Sequence, residues 1–161
     1  MDETAEKHKI ADYNSGPMVG ITFSTFDLLH IGHIMTHAHA KGQYKCLNIG
    51  LQLDQSLYRP EKNAPTQTDL GSYIQLHGCR FVEEIVSNST EQDIEDILRT
   101  FKIATRIIGY KYANRDFTSH KYCDQKSKVL YFNSRDYCFS SSSLRKIVAL
   151  KESRKHHNIT T

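Results

Sequence analysis

No apolar run in this chain approaches the roughly 18 residues that a membrane span requires. The first residues are acidic and polar, with neither a basic start leading into an apolar stretch nor a small-residue cleavage site. That argues against a secretory signal and for a cytoplasmic protein. Cys-x-x-Cys pairs are missing as well. Cys46, Cys79, Cys123 and Cys138 lie far apart, and in a reducing compartment they are expected as free thiols. The net charge of +3 is too small by itself to mark a nucleic-acid-binding protein. Arg145, Lys146, Lys151, Arg154 and Lys155 do gather within the last 17 positions. Without interleaved aromatics they read as a solvated helix face, so no nucleic-acid partner is expected. Repeats, interdomain linkers and low-complexity tracts are also absent.

What remains is the composition of an ordinary globular domain: 161 residues, 39% hydrophobic and 24% charged. Residues 1–17 are polar and aperiodic and read as a loose arm, residues 18–150 as one domain, and residues 151–161 as a polar tail. Within the domain, segments 18–24, 46–52, 81–86, 105–109 and 128–132 are rich in β-branched and aromatic residues, as strands are. Helical patterns fall between them. Thr90 is a candidate N-cap, followed by Ile94, Ile97, Leu98 and Phe101 on one apolar face. Segment 68–76 predicts another helix, and Ile34 and Ala38 support a weaker one after the first strand. Ser142 or a neighbouring serine caps a last helix in which Leu144, Ile147 and Val148 share a face. Strands alternating with helices need crossover connections, which produce a parallel sheet covered on both faces. The expected fold is therefore an α/β, doubly wound, five-stranded parallel sheet, with ligands bound beyond the carboxyl ends of its strands.

At that end, directly after the first strand, stands Ser24-Thr25-Phe26-Asp27-Leu28-Leu29-His30-Ile31-Gly32-His33, with a helix predicted to begin at its close. A helix N-terminus carries unpaired N–H groups and partial positive charge, and imidazoles beside it can donate to phosphate oxygens. Gly32 permits close approach of the backbone. His30 and His33 are accordingly the candidate catalytic residues of a nucleotidyl transfer. In that reaction the attacking phosphate is already anionic, so positioning and charge stabilisation do most of the work. Magnesium is expected to arrive with the nucleoside triphosphate, because it is typically held by phosphates, waters and one or two carboxylates. His37 and His39 add two more imidazoles nearby. No His-Glu-x-x-His pattern or third ligand accompanies them, so they read as partly exposed helix residues and no protein metal site is expected.

Phe139-Ser140-Ser141-Ser142-Ser143-Leu144-Arg145-Lys146, after the last strand, again sets small hydroxyl residues at a helix start and reads as a second phosphate clamp. Arg135 just before it is placed to put a guanidinium on a nucleotide phosphate. Arg59 and Lys62, in the loop after the second strand, can reach phosphates too.

The segment from Thr22 to His33 resembles the signature of the cytidylyltransferase family, best matched by glycerol-3-phosphate cytidylyltransferases of bacterial and phage type. Gly50-Leu51-Gln52-Leu53-Asp54, Phe81-Val82-Glu83-Glu84-Ile85-Val86, Ile107-Ile108-Gly109 and the terminal Ser-Ser-Ser-Leu-Arg-Lys extend the likeness over residues 18–148. The resemblance implies a Rossmann-like nucleotidyltransferase, often a homodimer, that makes CDP-glycerol and pyrophosphate from CTP and glycerol 3-phosphate with magnesium. By the same likeness, His30 and His33 would contact the triphosphate. Ser24, Thr25, Phe26, Asp27, Gly32 and Gly109 would belong to the nucleotide pocket. Arg135, Ser140, Ser141 and Ser142 would supply the second motif's phosphate contacts, and Arg59 and Lys62 would lie near the acceptor.

The chain departs from the family pattern at several points. Ser24 replaces a glycine, Gly71-Ser72 stands where a helix normally carries an arginine, and Lys111 replaces an acidic residue. Asn48 interrupts an apolar strand, which is costly if its amide is buried unpaired. A Ser-Ser-Ser-Leu sequence also closes phosphopantetheine adenylyltransferases of the same superfamily. An ATP-using enzyme and a nucleotide-binding module without turnover are therefore the alternatives.

Overall fold

The computed structural model describes residues 18–53, 64–117, 119–133 and 139–159. Along the chain run β1 (Val19–Ser24), α1 (Ile31–Gln43), β2 (Cys46–Gln52), α2 (Asp69–His77), β3 (Glu84–Asn88), α3 (Glu91–Thr100), β4 (Thr105–Gly109), α4 (His120–Gln125), β5 (Val129–Asn133) and α5 (Ser141–Ile159). Among the described residues the strands form one five-stranded sheet in the order β3-β2-β1-β4-β5. Every pairing is parallel. The expected α/β, Rossmann-like, doubly wound single domain is what the chain adopts.

Alternation along the strands divides the core in two. Leu47, Ile49 and Leu51 of β2 join Phe26, Ala40, Tyr44 and Leu76 on the face covered by α1 and α2. Ile21 of β1 joins Ile94, Ile97, Leu98 and Cys123 on the face covered by α3 and α4. Burial on both faces follows from helical crossovers. Between β2 and β1 the backbones carry a close side-chain crossing. A Cβ on Gly50 would lie 1.9 Å from the Phe23 ring, so only glycine lets that ring lie across the strand. The sheet's topological switch falls between β1 and β4, which opens a crevice at their carboxyl ends.

Several elements differ from the sequence reading. The third strand starts at Glu84 and not at residue 81. Phe81 and Val82 belong to a turn closed by Val82 N–H donating to the Cys79 carbonyl at 3.0 Å. The Glu83 carboxylate accepts from Leu47 N–H at 2.6 Å, substituting for a ladder bond. The fifth strand begins one residue late because Lys128 N–H is taken by the Cys123 carbonyl at the end of α4. Phe101 lies just beyond α3 as its C-cap. The segment read as a polar tail is helical as far as Ile159, and the shared face of Leu144, Ile147 and Val148 is solvent-exposed. Asn48 is buried but donates to Glu84 Oε2 at 3.3 Å, which offsets the penalty expected for an unpaired amide. Cys46, Cys79 and Cys123 are free thiols, and Cys138 lies outside the described residues. No helix among the described residues is long and apolar enough to cross a membrane.

Candidate functional site

The loop leaving β1 is held in an unusual path. Phe26 and Leu28 have φ values of 49° and 51°, the left-handed region that costs a non-glycine residue roughly 1–2 kcal/mol. Such strain persists only where neighbouring contacts over-determine it. Phe26 is 3% exposed and packs its ring against His33 and His37, with centroids at 5.4 and 5.3 Å. Phe26 and Asp27 are thus both buried, and they shape the loop from beneath.

His30 is the N-cap of α1. Its Nδ1 accepts from Gly32 N–H at 3.1 Å, while His33 Nδ1 faces His30 N–H at 3.4 Å, completing a reciprocal capping box. An imidazole whose Nδ1 accepts a backbone N–H carries its proton on Nε2 when neutral, so Nε2–H is the donor atom of both rings; His30 is half-buried and His33 is 9% exposed. The rings stack with centroids 4.0 Å apart. The first-turn N–H of Gly32 is used within the cap. A Cβ on Gly32 would come within 3.0 Å of both His30 and Phe139, so glycine is what lets the start of α5 approach.

That approach joins the two motifs. Ser141 Oγ donates to the Asp27 carbonyl at 2.8 Å, bringing the serine-rich segment against the histidine loop. Ser140 Oγ accepts from Ser143 N–H at 3.1 Å and caps α5, whereas Ser142 is exposed in the first turn. Ser24 ends β1 and Gly109 ends β4, each two residues beyond the Thr22–Ile107 pair at the mouth of the crevice. Thr25 is half-buried beside them. Arg59, Lys62 and Arg135 lie outside the described residues.

Asp27 ties its own loop to two other segments. Its Oδ1 accepts from Thr66 N–H at 3.0 Å and Gln67 N–H at 2.9 Å, and its Oδ2 pairs with Arg145. Burial pushes the carboxyl's pKa up, but the two backbone donors and the Arg145 guanidinium outweigh it and hold the group below the usual carboxylate range. Arg145, read from sequence as part of a solvated basic face, is therefore a structural partner of the loop. The signal that could have found it is its spacing, since Ser141 and Arg145 are an i, i+4 pair and share a helix face.

His37 is also placed differently from the sequence reading, which left it partly exposed. It is 1% exposed, with Cys79 Sγ 3.8 Å from Nδ1 and no hydrogen-bond partner for Nε2, and burial lowers its pKa to about 4. His39 is exposed and faces Tyr131 Oη at 3.2 Å. Among the described residues no group of three or more His, Cys, Asp or Glu is arranged to hold a metal ion. Ser72, at the helix position where an arginine would be expected, is 3% exposed.

The chain is similar to the glycerol-3-phosphate cytidylyltransferase of Bacillus spizizenii, with 28% identity over 130 residues that cover 80% of this chain and 95% of that protein. It is also similar to the bifunctional protein HldE of Paramagnetospirillum magneticum, with 32% identity over 98 residues. That match covers 60% of this chain but only 20% of the HldE protein. No family model matches. In fold the chain resembles the lipopolysaccharide core biosynthesis protein of Thermoplasma volcanium, with a TM-score of 0.59 at 15% identity, covering 74% of this chain and 98% of that one. A protein of unknown function from Archaeoglobus fulgidus aligns with a TM-score of 0.55 at 13% identity, covering 76% and 94%.

Proposed function

We propose, for a chain related to the cytidylyltransferase-like family, that it is a nucleotidyltransferase moving a cytidylyl group from CTP to a small phosphate ester, with glycerol 3-phosphate the first candidate. The observation that carries this reading is the contact between the two motifs. The stacked His30 and His33 and the capped start of α5 meet at the switch point of the sheet, through the Ser141–Asp27 bond and the approach across Gly32. In the reaction a phosphate oxygen of the acceptor attacks the α-phosphorus, the bond to the β-phosphate bridging oxygen breaks, and pyrophosphate leaves with that electron pair. No proton has to be removed from the nucleophile. The Nε2–H groups of His30 and His33 donate to the charged phosphate oxygens as the transition state forms. Ser24, Thr25 and Gly109, at the carboxyl ends of β1 and β4, and Ser142 would face the nucleotide, and Arg135, Arg59 and Lys62 would supply cations to the triphosphate and the acceptor.

Magnesium would accompany the triphosphate and neutralise part of its charge. The Asp27 carboxylate is already occupied by Thr66, Gln67 and Arg145, which fits an ion held by phosphate oxygens and water. The test is pyrophosphate release with each of the four nucleoside triphosphates against a panel containing glycerol 3-phosphate and phosphopantetheine. CTP with glycerol 3-phosphate is expected to dominate. Release with ATP and phosphopantetheine would transfer the protein to adenylyl chemistry.

The working form is proposed to be a homodimer. Leu70, Tyr73 and Ile74 of α2, spaced i, i+3 and i+4, are 67%, 40% and 60% exposed beside the outer strand β3. Exposed apolar stripes of this kind mark interaction surfaces. Light scattering at micromolar concentration should give twice the chain mass, and Ile74→Glu should shift the population towards monomer. A monomer for the unaltered chain would reject the dimer.

A further inference from the structure

The Asp27 carboxylate is 4% exposed and sits between three segments far apart in sequence. Besides its bonds to Thr66, Gln67 and Arg145, the guanidinium's Nε donates to Thr66 Oγ1 at 2.9 Å. The Asp27 carbonyl holds Ser141, and Leu28 N–H donates to Gln67 Oε1 at 2.7 Å. Each segment meets both others: the histidine loop touches α5 and the residues ahead of α2, and those two touch each other through Arg145 and Thr66. The carboxylate is buried and already accepts from three donors of the protein, an arrangement that suits holding segments together. The left-handed residues on either side, Phe26 and Leu28, turn it inward to this position.

We infer that Asp27 and Arg145 form a positioning latch, which clamps the first turn of α5 and the segment ahead of α2 onto the histidine loop and so sets the alignment of the two phosphate-handling motifs. The inference rests on the proposed transfer reaction for its kinetic consequence but not for its structural one. Neither residue touches the reacting atoms. They act by fixing where Ser141, His30 and His33 stand relative to each other, and misplacement of such groups is expensive in rate.

The test uses Arg145→Met, which keeps bulk, Asp27→Asn, which keeps shape, the double variant, and Arg145→Lys. Amide hydrogen exchange reads the latch without requiring turnover. Each single variant is expected to speed exchange about tenfold or more both at Thr66 and Gln67 and in the first turn of α5, with β2 and α3 protected as before. In pyrophosphate release each is expected to lower kcat about tenfold with KM for CTP little changed, the double variant being no worse than the more damaged single and Arg145→Lys falling between. Faster exchange in only one segment would overturn the latch. So would losses that multiply in the double variant, or a fall in melting temperature with kcat intact. A large loss in Arg145→Met with Asp27→Asn unaffected would instead mean that Arg145 contacts substrate, and would also overturn it. If the unaltered chain released no pyrophosphate, the transfer reading would fall while the exchange result still decided the latch.

Discussion

Replacing His33 with alanine is expected to lower kcat by about a hundredfold or more, the usual loss when one transition-state donor is removed. The residue also has a structural duty, because its Nδ1 faces the His30 N–H at the start of α1 and its ring stacks on His30. Loss of such a cap costs roughly 0.5–2 kcal/mol. Asparagine separates the two roles, since its amide can reach the position of Nδ1 but not that of Nε2. His33→Asn should therefore keep most of the melting temperature and lose the turnover, whereas His33→Ala should lose both. Activity retained in His33→Asn would show that the ring serves only as a cap.

Acid should weaken the fold first through His37. Its pKa falls from the ordinary 6.5 to about 4 because it is buried as the neutral ring. Between those values the unfolded chain binds a proton that the folded chain refuses. The stability is thus fully present above pH 6.5 and lost progressively as pH falls towards 4, by roughly 3 kcal/mol at about 1.36 kcal/mol per unit. Asp27 acts lower, with a depressed carboxyl whose contribution is present above 3.8 and lost as pH falls through its folded value. His37→Leu removes the titrating ring together with the unpartnered Nε2, so at pH 7 it should cost little. Urea midpoints at pH 7, 5 and 4 should diverge in favour of the variant as the acid end is approached. Parallel midpoints for the two proteins would contradict the assignment.

The histidines also show where sequence reasoning runs out. The inward stripe of α1 is His33, His37 and Ala40, so its core-facing residues are partly polar and a reading by hydropathy cannot recognise them. The ends of β2 and β4 and the start of the Thr90-capped helix were legible because apolar runs meet turn or capping residues there. β3 was misplaced because Phe81 and Val82 are apolar for the sake of a turn, while Glu83 replaces a ladder bond with its side chain. The histidine loop was legible as a motif since strand, turn and helix cap are all local in sequence. Arg145 was not, because its partner Asp27 is 118 residues away, and the i, i+4 spacing from Ser141 marks a shared helix face without naming the partner.

Transfer is tested most directly by a phosphorus NMR time course of the unaltered chain with CTP, magnesium and glycerol 3-phosphate. Cytidylyl transfer predicts that the γ-phosphate signal of CTP is lost as free pyrophosphate and a CDP-glycerol diphosphate appear in equal amounts. CTP that stays intact, with its signals broadened by binding, would contradict transfer and leave a nucleotide-binding module.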